Sequence, residues 1–240
     1  MSLIIKFTTI LAVVLFMSGC LYPEERLEQN QVPYKDQSVA VQVAVDQFEE
    51  SNNGLLPIKT RDMTTPLYQK YPIDFNKLTP RYMQEPPSMA FENGGVYLFV
   101  LVNVETVPTV KLIDLRITEE IRNLNLRLNM YKQSNGYLPY KKVLAETIFL
   151  LDFEKLGYEQ PPSVKSPFSG KNLPLLINHK DEIFVDYRMD LYEALQKNKN
   201  YTFKTGDDIR DLLVNNSMFV PVYSVPYTID EKNDPIFLLN

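Results

Sequence analysis

Apolar residues recur at helical spacing in two long stretches of the chain. The first stretch places them at Val41, Ala44, Val45 and Phe48. The second stretch is longer and places them at Ile117, Ile121, Leu124, Leu128 and Tyr131. Because residues three or four apart share one face of a helix, each stretch predicts an amphipathic helix packed against a core.

Both predicted helices run into an Asn-Gly pair that is followed by proline. Gly54 and Gly136 each stand three residues before a proline, at Pro57 and Pro139. Glycine just past a helix adopts the left-handed conformation without a Cβ penalty, and proline then prevents the helix from continuing. We therefore expect both helices to end at these glycines.

Extended segments follow each helix at some distance. Residues 96–104 are rich in β-branched and aromatic side chains and predict the best strand of the chain. Residues 110–116 and 183–188 predict further strands that lead into helices, and 218–223 and 235–239 predict extended chain. Asp74 and Asp152 are expected to cap short helices. The mixture predicts an α+β fold.

Four short segments recur in the same order, which predicts an internal duplication. The matched segments are 53–59 with 135–141, 73–78 with 151–156, 85–88 with 160–163, and 113–116 with 185–188. The first match keeps five identical residues in seven. We expect two tandem related helix–loop–strand units, at 37–121 and 122–200, and a C-terminal extension at 201–240 that packs on them.

The N-terminal segment predicts a lipidated protein. Lys6, an apolar run and small residues lead to Cys20, the only cysteine of the chain. This order is typical of a secretory signal peptide, and a cysteine directly after Ser18-Gly19 resembles a bacterial lipobox. We therefore expect a lipoprotein signal peptide at 1–19, and an acylated (palmitate-type) Cys20 with a polar tether at 20–36.

Three alternatives compete with the lipoprotein interpretation. A membrane-spanning anchor needs about 20 apolar residues, and the run after Lys6 has only about half that length. A soluble signal peptide with an accidental cysteine and a buried structural cysteine are the others. Neither explains why Cys20 stands directly after Ser18-Gly19.

Composition and charge restrict the partners. Hydrophobic residues make up 45% and charged residues 23%, the proportions of an ordinary globular protein. The net charge of −5 argues against nucleic-acid binding and against electrostatic binding of anionic lipids through a cluster of basic residues. A lipid anchor is then the expected contact with the membrane. With one cysteine, the mature chain has no intramolecular disulfide, so its stability must come from its core.

The pattern of chemically reactive residues predicts no enzyme, no cofactor and no metal. His179 is the only histidine and lies in a polar stretch that is typical of an exposed turn. One histidine and one acylated cysteine cannot complete a zinc site. Asp207, Asp208 and Asp211 offer an alternative cation site, although acidic residues also favour the first turn of a helix.

Two Asp-x-Arg pairs occupy matching places in the two predicted units. Asp114 with Arg116 and Asp186 with Arg188 are spaced so that both side chains of a pair share one face of a strand. We expect each pair to form an ion pair on the solvated face. A carboxylate-binding arginine is the alternative.

Three segments resemble the YphF-type lipoproteins of Bacillus and relatives. They are the sequence that starts at Cys20-Leu21-Tyr22-Pro23, residues 54–59 and residues 71–75. Some members of that family are labelled as ABC-transporter binding proteins. The resemblance thus implies a solute receptor on the outer face of a Gram-positive membrane.

Together these observations predict a membrane-anchored extracytoplasmic lipoprotein that acts as a non-enzymatic binding or interaction module of the cell envelope. Its expected partner besides the membrane is an envelope protein or a small ligand. The alternative is a solute-binding lipoprotein of an ABC-type transporter, with a small molecule held in an aromatic cleft between the two predicted units.

Overall fold

The computed structural model describes residues 34–198 and 201–239. The predicted signal peptide and Cys20 lie outside the described residues, as does most of the predicted tether. Within the described part, the α-helices are α1 (Tyr34–Ser51), α2 (Phe75–Leu78), α3 (Leu115–Asn135), α4 (Arg188–Lys197) and α5 (Asp211–Asn215). Leu67–Gln69 and Phe91–Asn93 form short 3-10 turns.

The strands form three antiparallel groups. They are β1 (Tyr97–Val102), β2 (Thr109–Asp114), β3 (Tyr140–Ala145), β4 (Ile148–Leu151), β5 (Ser163–Lys165), β6 (Asn172–Asn178), β7 (Ile183–Val185), β8 (Tyr227–Ile229) and β9 (Pro235–Phe237). β1 pairs with β2, and β8 pairs with β9. The five remaining strands form one sheet in which β6 pairs with β4, β5 and β7, while β3 pairs with β4. The α+β class is confirmed.

The β1–β2 hairpin is buried on both faces. Phe99 and Leu101 belong to a core that they share with α1 and α2. Val100 and Val102, which alternate with them, belong to a second core built on α3 and the later strands. Successive side chains of a strand point to opposite faces, so this short hairpin supplies side chains to both cores.

Further segments extend the hairpin at both edges. On the β1 side, the Ile73 amide donates to the Phe99 carbonyl at 2.9 Å. On the β2 side, the Leu112 amide donates to the Met218 carbonyl at 2.9 Å, and the Val220 amide donates to the Leu112 carbonyl at 3.1 Å. Both edges are thereby paired with chain from elsewhere in the sequence.

The predicted end of α3 is confirmed. α3 ends at Asn135, and Gly136 follows it with a φ of 80°. Its amide donates to the Lys132 carbonyl at 2.8 Å. α1 ends at Ser51, and the turn after it reaches Gly54, which has a φ of 78° and whose amide donates to the Glu49 carbonyl at 3.0 Å.

The predicted caps differ between the two matching segments. The Asp74 carboxylate accepts a hydrogen bond from the Asn76 amide and caps α2, as expected. The prediction is wrong for Asp152, because residues 153–157 form turns rather than a helix. The Asp152 carboxylate instead faces the Lys155 ammonium at 3.5 Å.

The two predicted repeat units share local geometry but not a common sheet. In both, a proline carbonyl accepts a 2.7 Å hydrogen bond from an aspartate amide: Pro57 from Asp74, and Pro139 from Asp152. The hairpin of the first unit forms its own two-stranded sheet, whereas the strands of the second unit form a sheet of five. Ser38–Asn240 make up one compact unit. The tandem relation stays a prediction.

The glycine that ends α3 provides a direct test of backbone strain. A Cβ added at Gly136 would meet nothing within 4 Å, so a clash cannot be the source of any loss. We expect Gly136→Val to destabilise by about 1–2 kcal/mol, the cost of the left-handed conformation for a residue with a branched side chain. Urea unfolding measures the difference.

Gly136→Asn is the matched control, since asparagine tolerates the left-handed region. We expect it to cost clearly less than valine. Equal losses for the two variants would show that backbone strain is not the cause.

Candidate functional site

A cleft of about 290 Å³ opens beside the end of β1. Its apolar surface comes from Leu67, Leu101, Val102, Val104 and Val214. Leu101, Val102 and Val214 are buried, whereas Leu67 is 58% exposed at the mouth. The cleft lies between residues 67–106 of the first predicted unit and α5 of the predicted C-terminal extension. It is therefore not placed between the two predicted units.

Two tyrosines give the cleft its aromatic wall. Tyr68 lies on the 3-10 turn that follows Pro66 and is 6% exposed. Tyr71 is held against β1 because the Leu101 amide donates to its carbonyl at 2.8 Å. The backbone pairing along β1 thus fixes the main chain of Tyr71 relative to the apolar floor.

Polar groups form the rim. The chain turns at Asn103, whose φ is 53°, and the Thr106 amide donates to the Asn103 carbonyl at 3.0 Å. This turn carries Glu105 to the cleft, and α5 brings Asp211 from the opposite side. Both lining residues that carry a charge at neutral pH are carboxylates.

Four ionisable groups meet where α5 faces Tyr68. Burial raises the pKa of the Tyr68 phenol, which therefore stays protonated. Desolvation raises the pKa of Asp211, the nearby Asp208 charge raises it further, and Arg210 and a hydrogen bond with Tyr68 act in the opposite direction. The Arg210 guanidinium lies 5.3 Å from the centre of the Tyr68 ring and donates to Asp208, with an Nη2–Oδ2 distance of 2.6 Å.

A lysine of β2 ties α5 to the hairpin. The Lys111 ammonium donates to the carbonyls of Val214 and Ser217, at 2.6 Å each. Burial lowers the pKa of this lysine. More than 100 residues separate Lys111 from these carbonyls, so this long-range contact holds α5 and the chain after it against β2.

A second depression of about 380 Å³ lies nearer to the boundary between the two predicted units. Its lining includes Asp181 and Glu182, which are engaged within the protein. Asp181 pairs with Lys132 at 2.7 Å, and the Asn178 amide group donates to Glu182 at 2.8 Å. The cleft beside β1 combines a buried apolar floor with charged groups at its rim, and it is the stronger candidate site.

Three Asp-x-Arg pairs share one geometry. Two of them were predicted from the sequence, and the third is Asp208/Arg210. In each, the aspartate carboxylate accepts from the backbone amide, Nε and Nη2 of the arginine. The pairs are Asp114/Arg116, Asp186/Arg188 and Asp208/Arg210. Each arginine also lies over an aromatic ring, that of Tyr97, Phe237 and Tyr68 respectively.

The two predicted ion pairs were expected on a solvated strand face, but their aspartates are buried. Asp114 and Asp186 are 5% and 7% exposed, so neither pair lies on a solvated strand face. Asp114 caps α3, and Asp186 accepts from the amide of Arg188, the first residue of α4, so each carboxylate satisfies a backbone amide near a helix start. The arginine forks are occupied by their own aspartates, which leaves the pairs a structural role.

The buried carboxylate of Asp190 was not predicted from the sequence. Asp190 on α4 is 2% exposed and accepts hydrogen bonds from the hydroxyls of Ser166, at 2.7 Å, and Ser169, at 2.5 Å. Burial raises its pKa, and these two hydrogen bonds partly offset the rise. The residue is spaced as an ordinary polar position of a surface helix, so its burial could not be foreseen.

The remaining candidates are not among the residues that line the cleft. His179 is exposed in the turn between β6 and β7. The Asp207 carboxylate accepts from the Lys204 amide, and Asp208 is paired with Arg210. Over residues 34–198 and 201–239 there is no group of three or more His, Cys, Asp or Glu side chains placed to hold a metal.

The described residues thus form an α+β protein whose best-formed recess is an aromatic cleft with an acidic rim. Residues 34–114 match the family model of the YphF family N-terminal domain. The chain therefore carries a YphF-type N-terminal domain over these residues, and the predicted resemblance is confirmed for that domain. Comparisons with curated proteins and with solved structures give no match.

The matched domain contains one side of the cleft. It extends from α1 to the end of β2 and includes both tyrosines and Glu105. Asp211 and Val214 come from beyond it. Among the described helices, none has the length and apolar character needed to cross a membrane.

The buried Asp190 predicts a specific pH dependence of stability. Its pKa is raised in the folded state, so it favours folding below its unfolded pKa and loses that contribution as pH rises through the folded value. We expect wild-type protein to lose stability relative to Asp190→Asn as pH rises from about 3 to about 7. Urea unfolding at each pH gives the two free energies.

The pH trend of this difference isolates the ionisation of Asp190, because an asparagine side chain does not titrate over this range. Ser169→Ala removes a hydrogen bond that holds the pKa of Asp190 down, so it should steepen the trend. A difference that is flat, or that changes in the opposite direction, would contradict the burial argument.

Proposed function

We propose that this protein is a lipid-anchored lipoprotein on the extracytoplasmic face of a bacterial membrane, where it acts as a non-enzymatic binding module of the cell envelope. The cleft beside β1 carries the proposal. Binding sites of proteins are typically concave, with an apolar lining and a few polar groups that orient the ligand. Leu101 and Val102 supply such a floor, and Glu105 and Asp211 supply the polar groups.

The arrangement around the cleft supports binding rather than catalysis. A nucleophilic mechanism needs a hydroxyl or thiol next to a base that a third group orients. The Thr106 hydroxyl donates to the Asn103 carbonyl, and His179 does not line the cleft. Arg210 is engaged by Asp208. The charged groups nearby therefore hold the structure and orient a ligand in this proposal.

The anchor in this proposal is Cys20. A diacylglyceryl cysteine supplies two acyl chains, and stable membrane attachment takes two such signals. The polar segment from Leu21 to about residue 36 then carries the folded part away from the bilayer.

A solute receptor that feeds an ABC-type transporter is the second candidate. Its support is the size of the cleft, which at about 290 Å³ approaches the volume of small-molecule sites. In this case, deletion of the protein should abolish uptake of the solute that the cleft binds. For an interaction module, uptake should be unchanged.

Replacement of the proposed anchor tests the location. We expect wild-type protein to have the intact mass of residues 20–240 plus a lipid, and to enter the detergent phase of a phase separation. Cys20→Ala should carry no lipid and should retain residues 1–19, because the modified cysteine is absent. Intact-mass spectrometry of membrane fractions distinguishes these forms.

Ser18→Ala is the control, since it keeps a small residue before the cysteine and should leave lipidation intact. An unmodified Cys20 in wild-type protein, or equal processing in Cys20→Ala, would refute the lipoprotein assignment.

Filling the cleft tests the binding role. We expect a thermal-shift screen of small solutes to yield ligands, and a ligand at 100 times its Kd stabilises by about 2.7 kcal/mol. For a domain of this size, the melting temperature then rises by about 5–10 °C. Thr106→Trp places an indole at the rim and should abolish this rise.

Thr60→Trp, at an exposed position outside the cleft lining, should keep the full response. A ligand response that survives in Thr106→Trp would place binding elsewhere on the protein. A screen without any response would count against a small ligand.

A further inference from the structure

We propose that the cleft beside β1 binds a small organic cation, an ammonium or guanidinium group joined to an apolar body. The inference rests on the proposed binding function and adds the chemical class of the ligand. It is carried by the charge, the apolar floor and the size of the cleft.

The floor selects the apolar body of the ligand. Leu101, Val102 and Val214 are buried and present aliphatic surface, while Tyr68 and Tyr71 add flat aromatic surface. A volume of about 290 Å³ lies near the lower end of the range for small-molecule sites. This volume suits an aryl or alkyl group of modest size.

The rim selects the charge. Glu105 and Asp211 approach the cleft from different elements, and among the described residues that line it there is no lysine or arginine. Arg210 is not among the lining residues, lies 5.3 Å from the centre of the Tyr68 ring, and has its guanidinium bound by Asp208. Two carboxylates at the mouth of an apolar recess attract a cation and repel an anion.

The tyrosine rings already hold cations of the chain itself. The Lys70 ammonium lies 5.5 Å from the centre of the Tyr71 ring, and Arg210 lies 5.3 Å from that of Tyr68. Neither cation is part of the cleft lining. The electron-rich rings therefore favour a positive charge in their surroundings, as expected for cation–π contacts.

Asp211 gives the site a pH response. Its carboxyl group faces Tyr68 and is influenced by Arg210 and Asp208, while Glu105 faces the same cleft. Desolvation and the charge of Asp208 raise its pKa, because the ionised form lacks full compensation. A bound cation supplies that compensation, so binding should weaken as falling pH protonates Asp211.

Three probes of similar size separate the ligand classes. We would titrate full-length protein in nonionic micelles with 2-phenylethylammonium, its uncharged analogue 2-phenylethanol, and the anion phenylacetate, against protein-free micelles. At low ionic strength, the cation should bind about tenfold or more tightly than the alcohol, as for one charge-assisted hydrogen bond. Phenylacetate should bind most weakly, and added salt should reduce the preference.

Matched variants assign the preference to the rim. Glu105→Gln removes one charge at an exposed position and should reduce the preference for the cation several-fold. The double change with Asp211→Asn should bring it to within about twofold of the alcohol. Glu146→Gln, an exposed glutamate outside the cleft lining, should leave the preference intact.

The outcomes separate the inference from the proposed function. Binding of the alcohol or of phenylacetate that equals or exceeds binding of the cation, and that Thr106→Trp abolishes, would overturn the charge selectivity while the cleft remained a binding site. A preference for the cation that is unchanged in the double variant would overturn the inference as well. A lack of binding of all three probes would also overturn the inference. The proposed binding function is tested separately, by the thermal-shift screen of small solutes.

Discussion

The β1–β2 hairpin, buried on both faces, is the constraint on which the rest of this structure depends. Phe99 and Leu101 enter one core, and Val100 and Val102 enter the other. A shift of register by one residue would exchange the two sets of side chains, so both cores fix the hairpin and the hairpin fixes both cores. This sharing accounts for the compact unit that extends from residue 38 to the C-terminus.

The cleft is a consequence of how the hairpin is flanked. Tyr71 runs beside β1, and the chain near residue 219 runs beside β2, so segments distant in sequence meet at the end of β1. Lys111 then holds the end of α5 through two backbone carbonyls. The matched YphF domain therefore supplies only part of the cleft, and the C-terminal segment completes it.

The three Asp-x-Arg pairs show how one local device is used under different degrees of burial. In each pair, a single carboxylate accepts charge-assisted hydrogen bonds from the backbone amide and the guanidinium of the arginine two residues later. The Arg116 side chain is 64% exposed, whereas Arg210 is 12% exposed. The third pair lies next to the cleft, because its Arg210 contacts the lining residue Tyr68 and is bound by Asp208, while the charged lining residues are Glu105 and Asp211.

The sequence by itself determined the elements whose causes are local. Apolar spacing and the Gly136 turn define α3 and its end, β-branched composition defines β1, and Asp74 caps α2 because its partner is two residues away. Tertiary structure decided the rest. Asp152 matches Asp74 in sequence but precedes turns, Asp190 is buried by strands and loops remote from α4, and the cleft unites residues 67–106 with Asp211 and Val214. Burial and long-range pairing depend on the whole chain, so no local sequence pattern could predict them.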